Sequence, residues 1–432
     1  MPRCVVSAFA VLLAVLLGLG GCTLRDAAET APPAVTTEPP SGTDAPPGTD
    51  APAETDPPAE TDPPADTDPP ADTEPAPPAA APAEERARAL LSEMTEEEKL
   101  YQLFVVYPEA VTGTAGTTIA ATEARTLPAL QRRPVGGLVY AEANLESAKQ
   151  ASEMIAGQQK FTTIPLLTCV DEEGGRVSRL RGITGTLSPM YSYRDDGAET
   201  AYDNAVTLAG NMKTLGLNTD FAPVADVWSN PANSVIGDRA YSGDFNSAAA
   251  LVSAAVEGFR AENIICTLKH FPGHGDTAED SHTSTAVVRK TLDELREQEF
   301  LPFKAGIEAG ADMVMIGHLT LPEVDGGTPA TFSRTIVTDL LRGELGFDGV
   351  IITDMLTMAA ATNHSSGGEA CIQALAAGCD ILLGPAATQE GLDACVQEIR
   401  DELARPGGRL SWDDIDGSVA RILTMKIEHG MM

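Results

Sequence analysis

The sequence predicts an α/β fold in which eight parallel strands close into a single barrel inside a layer of helices. Three observations predict it. Short apolar runs alternate with amphipathic stretches, the pattern of a parallel sheet joined by helical crossovers. Seven such runs and an eighth candidate are spread over roughly 300 residues, which suits an eight-stranded barrel better than an open doubly wound sheet. Reactive side chains follow the runs directly: Asp171-Glu172-Glu173, Lys269-His270, His318 and Asp354. In a barrel these positions are the C-terminal ends of strands, where active sites of this architecture sit.

The chain has 432 residues and three expected parts. Residues 1–21 form the first. Arg3 supplies a positive start, Val5 to Leu19 is apolar, and the run ends in Leu19-Gly20-Gly21-Cys22. This is the pattern of an export signal, too short for a spanning helix and without a stop-transfer flank. The cysteine after two glycines resembles a bacterial lipobox. That resemblance implies lipidation of Cys22 and an extracytoplasmic protein anchored to the cell membrane.

Residues 22–83 form the second part. From residue 26 they are almost only Ala, Pro, Thr, Asp, Glu, Gly and Ser, with a six-residue period from Thr55 to Asp72. Such a segment buries too little apolar surface to offset its ordering entropy and is expected to be a disordered tether. At about 3.1 Å per residue in polyproline II it spans on the order of 100 Å or more.

Residues 84–432 are the expected barrel. Glu84 to Leu91 has a helical pattern, and Thr95 with Glu98 three residues on forms a capping box for the next helix. The strand candidates are Gly137–Tyr140, Pro165–Val170, Leu217–Val227, Ile264–Leu268, Met313–Ile316, Gly349–Thr353 and Cys379–Leu383. Leu103–Tyr107 is the eighth, although it also fits a helix. Helices are expected at Ala148–Gln159, Asn204–Leu215, Ser247–Glu262, Leu292–Ala309 and Asp413–Glu428. The alternative is an open α/β sheet, but no GxGxxG follows its first strand.

The net charge is −34. It argues against nucleic acid or anionic lipid as a ligand and leaves neutral ligands open. Apart from Cys4 and Cys22 the cysteines are Cys169, Cys266, Cys371, Cys379 and Cys395. Five cannot all pair and none forms a CxxC, so neither a disulfide framework nor a metal site is expected.

The densest chemistry lies in Lys269-His270-Phe271-Pro272-Gly273-His274-Gly275-Asp276-Thr277 and the following Asp280-Ser281-His282. Three of the chain's six histidines fall here. His270, His274, Asp280 and His282 are potential metal ligands, but their spacing matches no zinc or iron pattern. A purely structural loop is a second use. The third is acid–base chemistry: Asp280 and His282, two apart, can face one side of an extended loop. A carboxylate on one imidazole nitrogen fixes the tautomer, and the other nitrogen can move a proton near pH 7.

KHFPGHGDT followed by DSH resembles the signature of the β-N-acetylglucosaminidase branch of glycoside hydrolase family 3. Asp171 to Arg179, Asp220 to Val227, Asn233 to Arg239 and Gly346 to Asp354 resemble the family's other motifs. All stand in its order across about residues 92–426. The resemblance implies a TIM-like (β/α)8 barrel and a retaining, exo-acting enzyme. It implies Asp354 as nucleophile, His282 as general acid and base, and Asp280 as its partner. Asp171, Arg179, Arg239, Lys269 and His270 would hold the sugar. A histidine acid/base departs from the second carboxylate that most retaining glycosidases use.

The expected substrate is a terminal β-linked N-acetylglucosamine on peptidoglycan fragments or related glycans. No cofactor or metal is implied, and a monomer is expected. A phosphorylase on the same site and an inactive sugar-binding lipoprotein are the alternatives. Glu172 stands where the family usually has Gln, and Met355 where relatives carry Asp or a small residue. The β-glucosidase branch carries a glutamate acid/base on a second domain, and little chain follows Glu428. His274 is expected to be structural, and the segment Lys269–His282 mobile.

Overall fold

The computed structural model describes residues 82–113, 123–277 and 286–432. The export signal, Cys22 and the tether up to residue 81 lie outside the described residues. So do Asp280 and His282.

Eight parallel strands form the barrel: β1 (Phe104–Val106), β2 (Gly137–Val139), β3 (Leu167–Val170) and β4 (Thr219–Asp220), then β5 (Ile265–Phe271), β6 (Met313–Ile316), β7 (Val350–Thr353) and β8 (Leu382–Leu383). Their hydrogen-bonded order is β7-β6-β5-β4-β3-β2-β1-β8. A parallel bridge between Ile352 and Ile381 joins β7 to the start of β8 and closes the ring. Six of the strands are buried at every residue, as expected for short parallel strands covered by helices, and so are β4 and β8.

All eight strand candidates fall on a barrel strand, including Leu103–Tyr107, and β5 runs on past Leu268 to Phe271. Leu217–Val227 contributes only Thr219–Asp220, because Pro223 has no N–H to continue the ladder. Val224 and Ala225 still reach β5, where the Ala225 N–H donates to the Lys269 carbonyl at 2.7 Å.

Thr95 caps the helix Glu96–Gln102 with the predicted capping box. The expected helix Leu292–Ala309 is instead two, Leu292–Glu297 and Phe300–Glu308. The break falls at Gln298, and Pro302 explains it. In one continuous helix the Pro302 ring would clash with the carbonyl of residue 298. The expected Asn204–Leu215 helix begins earlier, at Ala198, directly after Gly197 in the left-handed region (φ 90°).

The last helix, Trp412–Glu428, packs under the barrel. From it the fully buried Lys426 reaches Gln102 Oε1 at 3.0 Å and the Gly136 carbonyl at 2.9 Å. Both partners sit just before β1 and β2, so this lysine lies at the N-terminal end of the barrel. The five described cysteines are buried free thiols.

Candidate active site

The opposite end of the barrel gathers the charged residues. Asp171 follows β3, and the chain then turns through a short hairpin, Glu172–Gly174 against Val177–Ser178. Glu172 faces inward. It accepts from Ser178 Oγ at 2.6 Å and from the Leu180 N–H at 2.8 Å, so it pins the hairpin. Burial raises its carboxyl above the ordinary value, and these hydrogen bonds only partly offset that. The residue replacing the family's usual Gln thus has a structural use.

Glu173 is buried too, with 2% of its side chain exposed. Arg239 grips it with two hydrogen bonds, at 2.7 and 2.8 Å. Lys269, at the end of β5, reaches Glu173 at 2.6 Å and Asp171 at 2.8 Å. Arg179, on the far side of the hairpin, stands 3.6 Å from Asp171. Burial opposes the charge on Glu173, but Arg239 and Lys269 outweigh it and hold the carboxyl far below its ordinary value. The same balance works in reverse for Lys269. Burial would lower it, and Asp171 and Glu173 raise it instead. Glu173, Lys269 and Arg239 are therefore all held in their charged forms in a nearly dry setting.

His270 is held from behind. Its Nδ1 lies 2.6 Å from Asp226 Oδ2, and its backbone N–H also donates to that carboxylate. The N–H of His274 donates to Asp226 as well, at 2.6 Å. Asp226 is fully buried; burial would raise it, and the His270 ring outweighs this to keep it ionised. Nδ1 then donates to Asp226, and Nε2 is the nitrogen left for a ligand. His274 Nδ1 contacts Thr277 Oγ1 at 2.8 Å, in keeping with a structural role. Gly275 fits because it has no side chain, since a Cβ there would lie 1.7 Å from the Val227 carbonyl oxygen. The stretch from Lys269 to Thr277 is thus mostly buried and hydrogen-bonded.

Asp354 ends β7. Its N–H donates to the Ile316 carbonyl at 2.9 Å, and the Met355 N–H donates to its Oδ1 at 2.7 Å. Burial would raise its carboxyl; the His270 and His318 rings, Met355 N–H and Lys269 together hold it below the ordinary value. His318 is fixed by Thr331 Oγ1 at 2.8 Å and by the Met355 carbonyl at 3.0 Å. It therefore steadies the backbone next to Asp354.

One cavity of about 290 Å³ is lined by Asp171, Arg179, Arg239, Lys269, His270 and Asp354. All six predicted site residues in the described part meet there. Asp280 and His282 lie outside the described residues. Glu173 and Asp226 were not given roles by the sequence reading, although both stand inside the quoted motifs. For Glu173 the signal was its place two residues after Asp171, whereas Asp226 has no assigned residue near it along the chain. Met315, Met355, Met358 and Leu383 add an apolar stretch of wall. Among the described residues no three His, Cys, Asp or Glu side chains are placed to hold a metal ion. A larger cavity, about 920 Å³, lies at the other end of the barrel. Its Arg342 and Arg421 are already taken up by Asp380, and it carries no comparable constellation.

The family model described as Glycosyl hydrolase family 3 N terminal domain matches residues 95–425. The chain belongs to glycosyl hydrolase family 3. It is a glycoside hydrolase. A beta-hexosaminidase of Stenotrophomonas maltophilia (strain R551-3) is 40% identical over 321 residues, covering 70% of this chain and 92% of that protein. The solved β-N-acetylglucosaminidase of Paenibacillus sp. str. FPU-7 superposes with a TM-score of 0.71 at 35% identity. That match covers 78% of this chain and 63% of the Paenibacillus chain. A β-N-acetylhexosaminidase from Beutenbergia cavernae DSM 12333 gives 0.67 at 30% identity, covering 78% and 99%.

Proposed function

We propose that the protein is a retaining, exo-acting β-N-acetylhexosaminidase with Asp354 as nucleophile. The observation that carries this is a buried, ionised carboxylate at a strand end, opposite a set of charged groups fit for sugar hydroxyls. Charged partners make the stronger hydrogen bonds to such hydroxyls. The hexosamine preference is supported by the named activities of the relatives.

An Asp354 oxygen attacks the anomeric carbon as the bond to the leaving oxygen breaks. That oxygen takes a proton from His282, whose partner is Asp280. Water then attacks the anomeric carbon, His282 accepts the water's proton, and the Asp354 carboxylate is released. The described residues support a histidine in this role. Of the other pocket carboxylates, Glu173 is committed to Arg239 and Lys269, and Asp171 to Lys269 and Arg179. Neither is placed as a spare proton donor.

The natural substrate on this reading is a terminal β-linked N-acetylglucosamine of peptidoglycan fragments. The export signal, Cys22 and the tether support it, since they would hold the barrel outside the membrane and away from it. Cys22→Ala should move the protein from the membrane fraction to the soluble fraction, and unchanged fractionation would refute the anchor.

The enzymatic test is hydrolysis of a chromogenic β-N-acetylglucosaminide, with the matching β-glucoside and added phosphate as controls. Expected are loss of turnover in Asp354→Asn, a strong reduction in His282→Ala, and weak turnover of the glucoside. A sugar phosphate as product would assign a phosphorylase. No turnover by folded protein would favour a sugar-binding role.

A further inference from the structure

We propose that Cys371 and Cys395 are a disulfide-forming pair that ties together the two helices on either side of β8. The way those helices cross carries the inference.

The helix Gly367–Ala377 precedes β8 and the helix Gln389–Ala404 follows it. Where they meet, the first presents a glycine. A Cβ at Gly368 would lie 2.5 Å from the Cβ of Glu398, so the two helices approach closely there. Residues three apart share a helix face. Three positions on from Gly368 is Cys371, and three back from Glu398 is Cys395, so an antiparallel crossing sets the two cysteines opposite each other. Both are buried, and their thiols are hydrogen-bonded, Cys371 donating to Cys395. Arg409 pins the same crossing from outside. It holds Glu369 with two hydrogen bonds, at 2.7 and 2.8 Å, and its backbone N–H donates to Glu402 Oε1 at 2.7 Å.

The other three described thiols are turned to oxygen instead. Cys169 meets Thr219, Cys266 meets Asp312, and Cys379 meets the Thr331 carbonyl. Only sulfurs already brought together by the backbone can be bridged without moving it. Among the described residues, the crossing of these two helices supplies such a pair.

The hydrogen bond from Cys371 lowers the Cys395 thiol, while burial raises Cys371. Cys395 is therefore the first to ionise and react. The oxidant is a disulfide. The Cys395 thiolate attacks one of its sulfurs and displaces a thiolate, leaving a mixed disulfide. The Cys371 thiolate then attacks the Cys395 sulfur and releases the second thiolate. Two protein thiols are oxidised, the oxidant is reduced to two thiols, and the two protons pass to those thiols. Because both cysteines are buried, the exchange takes place while the helices are locally open. The proposed export supports the pairing, since disulfides persist outside the cytoplasm.

A bond from 371 to 395 encloses β8. The barrel ring closes between β7 and β8 through one parallel bridge, Ile352 to Ile381. Leu383, at the end of β8, lines the cavity that holds Asp354. The disulfide secures this seam by restricting the unfolded chain, and it touches no group of the site.

The full-length protein is incubated with oxidised glutathione in urea below its unfolding midpoint, so that the helices open locally. It is then digested without reduction and mapped by mass spectrometry. One pair of peptides joined through Cys371 and Cys395 is expected, and Cys395→Ala should lack it. The oxidised protein should melt about 3–6 °C above the same protein treated with dithiothreitol, and Cys395→Ala should show no such difference. Glutathione held on either cysteine without a cross-link, or free thiols at both, would overturn the proposal. A Cys371–Cys395 cross-link that leaves the melting point unchanged would overturn its role in securing β8.

Discussion

Two lysines are buried in this barrel, one near each end, and their surroundings drive them in opposite directions. Lys269 closes β5 at the C-terminal end with 2% of its side chain exposed and two carboxylates within 2.8 Å. Burial works against its charge, but the carboxylates more than offset this and its pKa is raised. Lys426 at the N-terminal end is fully buried against an amide oxygen and a backbone carbonyl. With no carboxylate bonded to it, burial brings it down to about 7. The same residue type, equally buried, is held charged at one end and close to neutrality at the other. The end that keeps its charges is the end that holds the proposed sugar site, and at the other end Lys426 serves packing.

Removing the top lysine should have the largest effect. Lys269→Met leaves Asp171 and Glu173 facing each other without their shared cation. A loss of about 3–5 kcal/mol in stability and at least about a thousandfold in kcat/KM is expected, read by urea denaturation and steady-state kinetics. Glu173→Gln is milder, since Arg239 keeps a hydrogen-bond partner. It should cost about 1–3 kcal/mol and about 10–100-fold in kcat/KM.

Lys426 should reveal itself through pH. The unfolded lysine keeps its proton up to about 10.5 and the folded one only to about 7. Between those values the unfolded state binds more protons, so this group's contribution to stability rises with pH. The rise should be on the order of a few kcal/mol and should vanish in Lys426→Met, whose kcat/KM stays close to wild type. Urea midpoints at pH 7 and pH 10 measure it. A wild-type slope that survives in Lys426→Met would contradict the assignment.

The smallest effect concerns the proposed nucleophile. Asp354 is held below its ordinary value of 3.8, so it stays ionised at pH 5 and above. Titration of Asp354 should change kcat/KM by less than about twofold between pH 5 and 7. A deep acid limb in that range that disappears in no variant other than Asp354→Glu would count against this.

Much of this was legible in the chain, for definite reasons. The barrel strands are short, apolar and bounded by polar residues, so their order could be read without contacts. Asp171, Lys269, His270 and Asp354 stood out because reactive groups at strand ends are chemically conspicuous. The roles of Glu173 and Asp226 were hidden. Which of three successive acidic residues turns inward depends on the hairpin after β3, and its irregular register is not written in the composition. The break at Gln298 was missed although Pro302 announces it. Lys426 was out of reach altogether: its partners lie 324 and 290 residues away along the chain. On an amphipathic helix such a lysine looks like any solvated one.

The central claim is that Asp354 becomes covalently linked to the sugar. A fluorinated N-acetylglucosaminide with a good leaving group, which slows breakdown of such an intermediate, should label the enzyme, and peptide mass spectrometry should locate the adduct. One glycosyl group on Asp354, absent from Asp354→Asn, is the predicted result. Turnover of the natural sugar without an adduct on Asp354, or with the adduct on another residue, would contradict the account.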